Sequence, residues 1–197
     1  HFWDLMQAKY AELPEARKKA KFRGATRTRE TSINVPLDTF KVISEWYHLV
    51  ILEIHSILGG KVDPKAVATR LGISPGTVRE ATARLFRAGL LKENTEGLFL
   101  PAETDTWIGD EAPSGCVRSY HAQVLGLAMK AVENVAMDER ESLSLMFSID
   151  KNDFPKMHKE MREAIMAVVH RYAQSGSPDQ VQCLSLHTFP AWNQENI

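Results

Sequence analysis

The stretch AVATRLGISPGTVREATARLFRAGLL, residues 66–91, decides the fold. Gly72, Ile73 and Ser74 stand between two segments of helical period, and a tight turn between helices needs these residue types. Gly72 accepts a left-handed backbone, Ile73 buries one apolar side chain, and Ser74 caps the helix that follows. Pro75 then occupies the first helical position, where a missing N–H leaves no bond unmade. The pattern predicts a short helix over 64–71 with Ala66, Val67 and Leu71 inward. It predicts a longer helix to Ala88, with Val78, Ala81, Thr82, Leu85 and Phe86 on one side and Gly89 as its stop.

Working upstream, Asp38 after Pro36 is placed to cap a helix running to about Leu58, whose apolar face reads Phe40, Ile43, Trp46, Tyr47, Val50, Ile54, Ile57 and Leu58. Gly59 and Gly60 end it. Downstream, residues 90–92 and 98–100 flank the turn Asn94, Thr95, Glu96 and Gly97, the pattern of a hairpin. Three helices and a hairpin over 37–101 fit a winged helix-turn-helix, in which the third helix offers its N-terminal residues to the major groove of duplex DNA. The outward set is Pro75, Gly76, Thr77, Arg79, Glu80, Ala83 and Arg84. Arg79 suits a guanine edge, and Ser74 or Thr77 a phosphate or thymine methyl. Lys92 and Asn94 on the wing are further contact candidates, beside the opposing Glu93 and Glu96.

Charge agrees with that placement. The 197 residues carry 24 Lys+Arg against 25 Asp+Glu, a net −1 that excludes a uniformly basic protein. The distribution is uneven: residues 1–60 sum to +2, 61–101 to +3 and 102–197 to −6. The densest basic run is Arg17, Lys18, Lys19, Lys21, Arg23, Arg27 and Arg29, either a solvated face or an arm that follows a phosphate backbone. No apolar run approaches the ~20 residues of a membrane span. Two cysteines, Cys116 and Cys183, fit a reducing compartment, so a cytoplasmic protein is expected.

Residues 1–36 read as a short amphipathic helix, with Phe2, Leu5, Met6 and Tyr10 on one face, followed by the basic linker. Residues 102–116, rich in Pro, Asp, Glu, Thr and Gly, read as a second linker. The remainder, 117–197, reads as a small helix-strand-helix-strand domain, so the fold class is α+β. Its helices span 117–135 and 154–172. Leu143, Leu145, Phe147 and Ile149 alternate with polar residues as in a half-buried strand, and 181–189 forms the second. Two strands are too few for an independent sheet, which favours pairing with a second copy of the chain and half-sites about 34 Å apart on DNA. The other reading is an effector-sensing domain, with Met129, Met137, Met146, Met157, Met161 and Met166 as an adaptable surface or as ordinary core.

Beyond residues 66–91, SEWYHLVILEI at 44–54, SYHAQVLGLA at 119–128, DERESLSLMFSI at 138–149 and DQVQCLSLHTFP at 179–190 together resemble the uncharacterised Fibrobacter/Bdellovibrio paralogous family. That resemblance covers about 34–192 and implies a bacterial, regulator-like protein; it supplies no ligand, operator or catalytic residue. Members of that family usually carry a further N-terminal helix-turn-helix-like region. With His1 in place of Met, the chain is expected to be a C-terminal fragment.

No phosphate-cradling Gly-rich loop, nucleophile elbow or zinc-protease helix motif occurs, so neither an enzyme nor a cofactor is expected. Cys116, His121, Cys183 and His187 supply a zinc-like ligand set, but on a strand Cys183 and His187 lie roughly 13 Å apart, too far for one ion. His48 and His55 are about 10 Å apart along a helix. The sequence therefore points to a DNA-binding transcriptional regulator working as a homodimer, with a protein-interaction adaptor as the alternative.

Overall fold

The computed structural model describes residues 32–34, 44–102, 105–107, 115–173 and 177–192. The helix expected over 2–13, the basic run Arg17 to Arg29 and the Asp38 cap lie outside the described residues. The chain is mixed α and β. In order, β1 is Ser32–Asn34, α1 Tyr47–Ile57, α2 Pro64–Leu71, α3 Pro75–Arg87, β2 Leu91–Glu93, β3 Phe99–Pro101, β4 Asp105–Trp107, α4 Gly115–Asn134 and α5 Phe154–Ala173. These elements divide between two compact units, one built on residues 35–103, 108–144 and 178–197, the other on 1–34, 104–107 and 145–177.

The first unit has a single core of Ile51, Leu52, Val67, Ala68, Val78, Ala81, Leu85, Leu91 and Val117. Local chemistry sets its helix ends. Asp63 accepts from the Lys65 N–H at 3.0 Å, and Gly72 closes α2 at φ +66. Ser74 accepts from the Thr77 N–H at 3.0 Å, with Pro75 opening α3. β2 and β3 pair antiparallel with Lys92 opposite Leu100, one residue later in the chain than expected. Asn94 Oδ1 accepts from the N–H groups of Glu96 and Leu98, both at 2.9 Å, and so organises the hairpin turn.

The buried face of α1 differs from the expected one. The helix begins at Tyr47 rather than near Asp38, with residues 44–46 non-helical, and it buries His48, Ile51, Leu52 and His55. Val50, Ile54 and Ile57, assigned inward from the sequence, are only partly covered, and Leu58 is exposed. Apolar residues occupy nearly every side of this helix, so periodicity alone does not choose a face. In α2 the buried pair is Val67 and Ala68, while Ala66 is exposed. In α3 Val78, Ala81 and Leu85 are buried as expected, whereas Phe86 is 43% exposed.

Helix α4 joins this same core through Val117, and Gln123 Oε1 accepts from the Trp46 N–H at 3.1 Å, clamping the entry to α1. It is therefore part of the unit that precedes residues 102–116. The expected strands at 143–149 and 181–189 are not formed: neither segment has a ladder partner among the described residues. Alternation creates a strand only where a neighbouring backbone supplies hydrogen bonds. A different pair forms instead in the second unit, where β1 and β4 run parallel with Ile33 opposite Thr106. Both lie in stretches whose composition reads as linker. Helix α5 matches the expectation over 154–172, and none of its residues is fully buried.

Candidate functional site

The Ser74 hydroxyl caps α3 and also hydrogen-bonds the Thr77 hydroxyl at 2.9 Å, so both hydroxyls are engaged at the helix start. Pro75 and Gly76 complete that first turn, partly exposed. Arg79 is exposed on the helix surface, as is Lys92 on the hairpin. Arg84 instead lies 3.8 Å from Glu80, an i, i+4 pair along the same helix. Arg79 and Arg84 are about 140° apart around α3 and do not share a face. Asn94 is committed through its Oδ1 to the hairpin turn.

Arg87, absent from the expected set, lies on the outward arc with Arg79. Stepping by four residues from Arg79 through Ala83 to Arg87 traces one ridge of the helix, a signal present in the sequence. Both arginines line a cleft of about 350 Å3 between α3, α1, the 60–64 connection and β3. Phe86 and Phe99 meet there with ring centroids 5.3 Å apart, and Val62 and Pro64 add an apolar wall from the 60–64 connection. Gly60, at φ +79, makes that wall possible: a Cβ would stand 2.8 Å from the Phe99 carbonyl oxygen and 2.9 Å from Leu98 Cβ.

At the base of the cleft, His55 is 2% exposed and ties three elements together. Its Nδ1–H donates to the Phe99 carbonyl at 3.0 Å, and Nε2 then accepts from the Thr82 hydroxyl at 3.3 Å. Burial pushes its pKa down, partly offset by the Phe99 bond, so the ring is held neutral. His48, also fully buried, donates from Nδ1 to the Glu45 carbonyl at 3.1 Å and stacks on Tyr47 at 4.7 Å. Its pKa is likewise lowered, first by burial. Their helical spacing predicted separation, but not that both would be interior.

The cysteine and histidine set is arranged differently from the expected strand geometry. The 181–189 segment is not a strand, and the rings of His121 and His187 lie with centroids 5.6 Å apart. The Tyr120 phenol is pushed up to about 12, mainly by burial, with Cys183 adding to the effect. Among the described residues, no group of three or more His, Cys, Asp or Glu is placed to hold a metal ion. Among the same residues, no helix is long and apolar enough to cross a membrane.

Searches of curated proteins and of solved structures return no match. A family model described as a domain of unknown function matches residues 26–191, which span both units. With most of its length inside that match, the chain belongs to the DUF4423 family.

Proposed function

We propose that this protein is a bacterial, cytoplasmic, DNA-binding regulator in which residues 37–101 act as a winged helix, with no catalytic role. The observation that carries this reading is the outward ridge Arg79, Ala83 and Arg87 on α3, following a capped helix start and flanked by a hairpin bearing the exposed Lys92. The residues on that ridge combine guanidinium groups with a small side chain that permits close approach, as phosphate or guanine contact requires. The resemblance to the Fibrobacter/Bdellovibrio paralogous family supports the same reading.

The regulator is proposed to work as a homodimer. Leu125, Met129 and Val132 follow one another at helical spacing on α4 and are 49%, 65% and 53% exposed. An apolar stripe of that kind gains from burial against a second copy. Sedimentation analysis is expected to give a dimer, and a Met129→Glu variant a monomer. An effector-sensing role for the C-terminal region is the remaining alternative to assembly.

Fluorescence anisotropy with promoter duplex and scrambled duplex across a salt series tests the DNA reading. Binding is expected to weaken steeply with salt, favour the promoter and fall by about tenfold or more in Arg79→Ala. Equal weakening on both duplexes in Arg87→Ala would mark a phosphate contact. Absence of binding at low salt favours the adaptor reading, whose support is the exposed Phe86 beside an apolar cleft.

A further inference from the structure

We propose that the cleft between α3 and the hairpin binds a small carboxylate carrying an aromatic or branched apolar body. Its volume of about 350 Å3 falls at the lower end of the roughly 300–1,000 Å3 typical of small-molecule sites. The walls are apolar where Val62, Pro64, Phe86 and Phe99 meet it, so a ligand gains by burying a ring or branched chain there. Phe86, 43% exposed, gives such a ring an accessible surface to stack on.

Charge selects the other end of the ligand. Two of the lining residues are arginines and none is acidic, so an anion is attracted and a cation repelled. A guanidinium donates two parallel hydrogen bonds to a carboxylate, which also fixes the orientation of the body attached to it. His55 at the base has its ring nitrogens committed to Phe99 and Thr82, and presents a satisfied floor rather than a competing charge. Gly60 keeps the 60–64 connection close against the hairpin, so the apolar wall is set before any ligand arrives.

This binding goes beyond the DNA reading and is tested without DNA. Phenylacetate is titrated into the 197-residue chain, with chemical shifts followed by NMR; phenethylamine, the same ring bearing a cation, and acetate, lacking the ring, are the controls. Saturable shifts are expected at Arg79, Thr82, Phe86 and Phe99, with both controls about tenfold weaker or worse. The double variant Arg79→Ala/Arg87→Ala and the single variant Phe86→Ala are each expected to lose about tenfold in phenylacetate affinity. All three positions are exposed, and circular dichroism verifies that the variants fold. Equal binding of phenethylamine, shifts that miss the cleft, or undiminished affinity in the folded double variant would each overturn the proposal. Arg79 and Arg87 serve both readings, so phenylacetate is also expected to displace duplex DNA; ligand binding with unchanged duplex affinity would count against the DNA role of these two arginines and leave the cleft standing.

Discussion

Residues 44–102 bury Ile51, Val78, Leu85 and Leu91 to 1% exposure or less, whereas Leu143, Leu145, Phe147 and Ile149 remain between 42% and 73% exposed. Both stretches carry a clear apolar period. In the first, each local signal meets a tertiary partner: α1 and α2 close on α3, and the hairpin strands pair with each other. In the second, a strand-like alternation has no ladder partner among the described residues. Periodicity proposes an element, and partner contacts are what convert it into stability.

That contrast is open to direct attack by substitution. The largest effect is expected for Leu85→Ala, which leaves a cavity in the core and lowers unfolding free energy by about 2–5 kcal/mol in urea melts. A neutral result would mean that the core of 44–102 is far looser than its burial implies. Next comes Gly60→Ala, expected to cost about 1–3 kcal/mol, because a side chain at φ +79 is strained and this one also meets the hairpin backbone. Its loss should appear as weakened amide protection in β3 during hydrogen exchange.

Acid should sharpen the same distinction. His48 and His55 have folded pKa values below the ordinary value near 6.5, so the unfolded chain binds protons more readily. Their contribution is complete above about pH 6.5 and is lost as pH falls from there through the folded values. Urea midpoints measured from pH 8 to pH 5 are expected to fall, and His55→Gln to flatten that slope. Ser74→Ala is expected to cost about 1 kcal/mol by removing the α3 cap, seen as a lower melting temperature. Smallest of all, Phe147→Ala in the protomer should stay within about 0.5 kcal/mol; a larger loss would show that this segment is buried by a partner in solution.

Where a feature depends on neighbours in sequence, it was legible before any coordinates. The α2 and α3 boundaries, the left-handed Gly72, the Ser74 cap, the hairpin and α5 follow from capping, turn and periodic chemistry confined to a few consecutive residues. Arg79 was readable as an outward cation for the same reason, and Arg87 could have been added by stepping along one helical ridge. Asn94 was readable as a turn residue, but not that its Oδ1 would be taken up by the turn, since a wing contact and an Asx turn draw on the same side chain.

The sequence by itself determined α2 to α5, the stop of α1 and the concentration of positive charge ahead of residue 102, because each is written in adjacent residues. Tertiary structure alone decided that α1 turns His48 and His55 inward, since an almost uniformly apolar helix can bury any face and the surrounding helices select one. It also decided that α4 shares the core of α1–α3, that β1 finds β4, and that Arg79, Arg87, Phe86 and Phe99 surround one cleft. Those relations join residues distant along the chain, and no local propensity encodes which distant surface will be there to meet them.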